Sequence, residues 1–436
     1  MKGLTSWLVI PMLVALVTSA VALTPSATSR AIPAGPLAPD PELVRYDHAP
    51  APTHHDTTLG DTILELEKRV AGTQPSPIDL ADLANLFLRQ GDPAGFAKAE
   101  ATARRSIAIL EQPNAAHLVL AKLANARHDF REAVRIAEAQ LVHTRSPGAY
   151  NVLAVAHLAL GELAQAAAAT EAAVALEPTT PAYLTRALVM QAQGRDAEAA
   201  FDFARAAAVE DFGDPEEAAR LRALWARFLV RRGELAGASA LIDEALRLVP
   251  QDPLALAQRG ELRLRLGDID GAKRAFEAAF AASRQVRYLI DLARAQELGR
   301  DLDGATSTRA QAERIIRGDL EAHGVGHQLE LVEVLVDRAR PEDLREAITR
   351  AREEVERRPS AETRFQLARA LTRSGAVEEA AAEIRLALAS GARDARMYEL
   401  AARLERGPRR QLYAREAEAL DRGGSGWRTL GLDRVR

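Results

Sequence analysis

The chain contains no cysteine, and that absence alone removes several classes of function. A disulfide scaffold, a zinc–thiolate site, an iron–sulfur cluster and a cysteine nucleophile all need the thiol. Aromatic residues are scarce at 4%, and β-branched runs are few, which argues against strands. Lysine is nearly missing: it occurs only at Lys2, Lys68, Lys98, Lys122 and Lys273, so arginine carries the positive charge. That bias reads as coding preference, with selection for bidentate anion binding as the alternative. There is no excess of charge of either sign to speak of, since 57 basic and 61 acidic side chains leave a net −4. Such a balance supplies no general attraction for phosphate, so a nucleic-acid partner is not expected.

What is present is alanine, with leucine second, inside a hydrophobic fraction of 47% over 436 residues. That is ample for a core and excludes wholesale disorder. Alanine has the highest helix propensity, and alanine-rich faces let helices approach closely. The expected class is all-α. Length alone suggests about three domains at roughly 150 residues each.

Residues 1–22 read as a signal peptide. Lys2 supplies a positive start, Trp7–Val17 an apolar stretch, and Ala20-Val21-Ala22 the small-x-small cleavage pattern. The expectation is export, to a periplasmic or secreted location, with cleavage after Ala22. The alternative is an uncleaved membrane anchor over Trp7–Leu23, at the short end for a bilayer span. Residues 23–58 are rich in Pro, Ala and Thr and read as a disordered linker. Its His48, His54, His55 and Asp56 are read as polar tether and not as a metal tract.

From residue 59 to residue 422 the chain is self-similar, and this replaces the three-domain estimate. Gly161, Gly194, Gly233 and Gly267 recur at spacings of 33, 39 and 34, each followed by a polar residue. Five residues on stand Ala166, Ala199, Ala238 and Ala272, and seven further Ala173, Ala206, Ala245 and Ala279. Seven residues before each glycine is a small residue: Ala154, Ala187, Ala226 or Gly260. The small residue makes room for a partner helix. The glycine ends the first helix in a left-handed conformation. The alanines, with Thr170, Phe203, Ile242 or Phe276 between them, line one buried stripe of the second helix. One such hairpin cannot bury both its faces, so the units must stack.

These residues resemble the tetratricopeptide repeat family, whose pattern Tyr150, Leu153, Ala154, Ala166, Thr170, Ala173 and Pro178 match best. Weaker units flank the four clear ones, to a total of about ten. The resemblance implies an α-solenoid coiled as a right-handed superhelix, with first helices lining a concave face that binds peptides or partner helices. Carried onto this chain, the groove positions are Asn151, Arg227, Arg231, Glu261, Arg265, Arg287, Arg294, Arg369 and Arg373. Arginine dominates them, so protein or peptide partners with acidic segments or carboxylate termini are expected. The family's clamp for chaperone tails is not, because its slots here hold Ala223, Arg227, Gln258, Arg287 and Asp291, and Asp291 has the wrong sign.

Three interruptions break the repeat: Pro93–Lys98, Glu210–Pro215, and Ile316–Gln328. The last is also a candidate boundary between two sub-stacks. Insertions of this kind lie on the surface and can carry function. His323 and His327 lie four apart but are separated by Gly324 and Gly326, and the zinc-protease glutamate is missing, so no metal site is assigned. A loop metal site there is the only enzymatic alternative. No catalytic residue and no cofactor is expected. Residues 423–436, beginning Gly-Gly-Ser-Gly, read as a C-terminal tail.

Overall fold

A computed structural model describes residues 39–46, 59–90, 93–211, 214–323 and 327–420. The signal segment, most of the tether and the tail lie outside them. Two elements come first, α1 (Pro41–Val44) and α2 (Leu59–Arg69). Ten helical hairpins follow. They are α3 (Pro77–Gln90) with α4 (Pro93–Ile109), α5 (Ala115–Ala126) with α6 (Phe130–His143), and α7 (Pro147–Leu160) with α8 (Leu163–Leu176). Next come α9 (Thr180–Ala192) with α10 (Asp196–Ala208), α11 (Pro215–Arg232) with α12 (Leu235–Leu248), and α13 (Pro253–Arg265) with α14 (Ile269–Ser283). The last four are α15 (Val286–Leu298) with α16 (Leu302–His323), α17 (Gln328–Arg338) with α18 (Pro341–Arg357), α19 (Ala361–Ser374) with α20 (Val377–Ala389), and α21 (Ala395–Leu404) with α22 (Gly407–Leu420). The described residues are all-α, a solenoid of the predicted unit count.

The turn chemistry inside the hairpins follows from the sequence. Gly161, Gly233 and Gly375 take φ of 78°, 78° and 87° and end α7, α11 and α19. The next residue closes each cap by donating back five residues: Glu162 to His157, Glu234 to Leu229, Ala376 to Leu371. Two hairpins make the same turn without glycine. His128 and Arg300 each adopt φ of 62°, and Asp129 and Asp301 donate back to Ala124 and Gln296. A side chain there is strained but allowed, which is why these two units are faint in the sequence.

The alanine stripe is buried as expected. Ala166, Ala173, Ala199, Ala206, Ala238, Ala245, Ala272 and Ala279 are all fully enclosed, as are Thr170 and Phe203 between them. Gly260 shows why the facing position must be small: a Cβ there would lie 2.6 Å from the Phe276 ring. Around the fifth unit the core holds Phe203 stacked on Trp225 at 5.8 Å between ring centres.

Two expectations about interruptions are corrected. Pro93–Lys98 is not a loop but the first turns of α4. Ile316–His323 likewise continues α16 instead of leaving it. The candidate sub-stack boundary near 316–328 is not a break in packing, because Ile316 is fully buried in one apolar cluster with Leu331 and Leu335 beyond it.

Neighbouring hairpins touch through successive first helices, α3 on α5, α5 on α7, α7 on α9, α11 on α13, α15 on α17 and α17 on α19. Second helices reach the next first helix instead. First helices therefore occupy the short-radius, inner side. The coil also closes on itself. The turns of the second to fourth hairpins meet the loops that precede the eighth to tenth. His128 lies edge-on to His327 at 6.2 Å, Arg358 covers the Phe130 ring, Gly161 abuts Ser360, and Arg393 N donates to Ala192 O at 3.3 Å. Each turn of the coil thus rests on the next, about six hairpins further along.

Of the expected linker over 23–58, only residues 39–46 are described. Within it α1 is ordered, and Tyr46 is only 2% exposed.

Candidate functional site

The inner face is built by the first helices, and the nine groove candidates divide by what they touch. Three belong to an ion ladder across α15, α17 and α19. Arg287 donates to Glu333 at 2.8 Å, Arg294 to Glu333 at 2.7 Å and to Asp337 at 3.2 Å, and Arg369 to Asp337 at 2.8 Å. Gln366 ties the ladder together, accepting from Arg369 and donating to Glu333. Glu333, Arg294, Gln366 and Arg369 are all buried. Burial alone would push Glu333 up, but Arg287, Arg294 and Arg369 hold it far below the usual carboxylate range. Burial would likewise pull Arg287 down, and Glu333 and Asp291 hold it well above its ordinary value. These guanidinium groups bind helix to helix, and Asp291, 3.5 Å from Arg287, adds to the neutralisation.

Arg227 and Arg231 on α11 differ. They sit one helical turn apart and neither has a hydrogen-bond or ion-pair partner among the described residues. Burial lowers Arg227 to about 10, and Arg231 beside it adds repulsion. Arg231 is lowered by burial and then by Arg396, itself committed to Asp394 at 2.8 Å and Glu362 at 3.3 Å. Glu261 attracts both without pairing to either. The Tyr288 phenol nearby is pushed up to about 12 by burial and so stays a neutral donor. Arg265 and Arg373 lie in the last turns of α13 and α19 and are engaged in contacts of their own. Asn151 Oδ1 and Gln258 Oε1 are enclosed without a partner.

The site thus has two parts: a self-neutralised ladder, and a pair of half-buried cations that no carboxylate pairs. The ladder's acids were missed in the sequence. Their signal was Glu333 and Asp337, four apart inside the apolar run of α17. His327 does not join His323 in any described arrangement: it stands 3.9 Å from Glu330, whose carboxylate pulls it up against the effect of burial. The His323 side chain lies outside the described residues. Among the described residues no cluster of three or more His, Asp or Glu is placed to hold a metal, and no helix is long and apolar enough to cross a membrane.

The architecture is that of an α-solenoid of helical hairpins. Residues 337–396, from the end of α17 to the start of α21, match the tetratricopeptide repeat family model. Over that span the chain carries a tetratricopeptide repeat match. Among solved structures it is similar to TTC0263, a tetratricopeptide protein of Thermus thermophilus, at 22% identity over 43% of this chain and 99% of that one, TM-score 0.39. It is similar to the type IV pilus biogenesis factor PilW at 18% identity over 48% and 91%, TM-score 0.38. It is also similar to the Cut9–Hcn1 assembly of the APC/C at 12% identity over 84% and 62%, TM-score 0.47. No curated protein sequence matches the chain.

Proposed function

We propose that this protein is a non-catalytic scaffold that binds protein or peptide partners along its inner face, through acidic segments or carboxylate termini. Arg227 and Arg231 carry the reading. A half-buried charge without a partner forgoes part of its hydration, and an incoming carboxylate would compensate two at once through charge-assisted hydrogen bonds. Arg287, Arg294 and Arg369 already have their carboxylates, so they shape the wall and leave the contact to α11. A titration with Glu-rich and uncharged peptides tests this. Tighter binding of the acidic peptide, weakening as salt rises, supports the reading; equal affinity without salt dependence rejects it.

We further propose that the chain is exported and loses residues 1–22, which places the scaffold in the periplasm or outside the cell. The pattern Lys2, Trp7–Val17 and Ala20-Val21-Ala22 supports this. A protein that retained the Trp7–Leu23 segment would instead serve as a membrane-tethered subunit of an envelope assembly. N-terminal sequencing of purified protein separates the two: a start at Leu23 supports cleavage, and a start at Met1 rejects it.

A further inference from the structure

A second site lies where α10, α11 and α12 meet. Residues 40–46 come from the tether, yet they are seated on α10, α11 and α12, contacting residues 165 to 201 positions away. Leu43 and Val44 lie on the apolar cluster of the fifth unit. Tyr46 is buried under the Arg222 guanidinium, 5.7 Å from ring centre to Cζ, and its hydroxyl donates to the Asp211 carbonyl at 2.8 Å.

The segment's backbone is met by side chains far away in sequence. Within a helix the main chain satisfies itself. Here Arg45 is extended, so its neighbours' groups need outside partners. Side chains of the receptor supply them. Arg222 Nε donates to Val44 O at 2.6 Å, Glu244 accepts the Tyr46 N–H at 2.8 Å, and Arg247 donates to Tyr46 O at 3.3 Å. Main-chain capture by polar side chains, with one aromatic anchor in a pocket, is how a protein recognises an extended peptide.

The receptor is also built to survive without its occupant. Arg222 is doubly bonded to Glu210, at 2.6 and 3.1 Å, and also donates to Ala218 O. Glu244 is held by Arg247 at 2.6 and 2.7 Å. Withdrawal of residues 40–46 therefore strands no buried charge. The Glu210–Pro215 insertion finds its use here, since it supplies both Glu210 and the Asp211 carbonyl.

We propose that the cleft between α10, α11 and α12 is a peptide-recognition site, that residues 40–46 are its resident ligand, and that this ligand can leave. The ligand class is an extended peptide with two aliphatic residues and a tyrosine spaced as Leu43, Val44 and Tyr46. Docked, the segment fixes the tether to the middle of the solenoid; released, it frees the tether and opens the cleft. This does not depend on what the inner face binds.

The test uses the full chain and a fluorescent peptide of residues 39–47. Tethering gives the resident segment an effective concentration on the order of millimolar, so wild type should bind the peptide at least about tenfold more weakly than Tyr46→Ala does. A peptide with alanine at the tyrosine position should bind neither. Hydrogen exchange on Tyr46→Ala should show lost protection at residues 42–46 with α11 unchanged. Arg247→Ala, at a half-exposed position, should weaken peptide binding to Tyr46→Ala without altering that protection. The proposal is overturned if the peptide does not bind Tyr46→Ala, if it binds wild type equally, or if Tyr46→Ala loses protection throughout α9–α14.

Discussion

The backbone N–H of Arg393 donates to the carbonyl of Ala192, 3.3 Å away, and joins the loop before the tenth hairpin to the end of α9. Gly161 against Ser360 and Arg358 over Phe130 repeat that relationship at neighbouring levels. These contacts link repeats six apart, so the stack is stabilised across its coils as well as along them. A solenoid held only by nearest neighbours would unfold from its ends; this one has cross-links between its second to fourth and eighth to tenth units.

Gly161→Ala tests those cross-links. A Cβ at Gly161 would lie 2.7 Å from the Ser360 Cα, on a backbone at φ of 78°. Gly375 has φ of 87° and open space around it. Gly375→Ala should cost about 1–2 kcal/mol for the left-handed conformation alone. Gly161→Ala should cost that plus about 1–3 kcal/mol for overpacking. Chemical denaturation of the two variants measures the difference, and equal losses would show that the coils do not bear on one another.

Gly260→Ala tests the register within a hairpin. The added methyl meets the Phe276 ring at 2.6 Å. Overpacking of about 1–3 kcal/mol should exceed the helix-propensity gain of roughly 1 kcal/mol. Combination with Phe276→Leu should recover part of the loss, read as a midpoint shift in the same denaturation assay.

The ion ladder sets an acid limit. Glu333 is held far below its unfolded value by Arg287, Arg294 and Arg369. The unfolded chain therefore takes up the proton first as pH falls, and the contribution is present above about pH 4.3 and fades below it. Glu333→Gln leaves buried guanidinium groups short of a partner and should cost about 3–5 kcal/mol near neutrality. Its stability should also fall less steeply below pH 4 than that of wild type. Thermal melts across pH 3–7 check both statements.

Much of the fold was legible because repetition amplifies weak signals. The glycine that ends a first helix and the alanines that follow were visible in four units at once. The units built around His128 and Arg300 were faint, since those side chains hold a left-handed turn where the pattern expects glycine. The three interruptions were visible as departures in length, but length does not say whether the extra residues extend a helix, as in α4 and α16, or cap a cleft, as at Glu210 and Asp211. On the inner face, sequence placed the arginines on first helices but could not sort them. That sorting depends on Glu333 and Asp337 reaching across from the next hairpin, a relation between elements that no local pattern records. Tyr46 was hidden among prolines, where composition spoke for solvated chain.

The proposed contact surface is α11, through Arg227 and Arg231. Isothermal titration of a Glu-rich peptide into wild type and into Arg227→Ala/Arg231→Ala measures it most directly, with thermal melts confirming that the variant is folded. Loss of two charge-assisted contacts of about 1.5–3 kcal/mol each predicts at least a tenfold weaker affinity, together with a flatter salt dependence. Undiminished affinity in a folded variant would contradict the account and move the site elsewhere on the inner face.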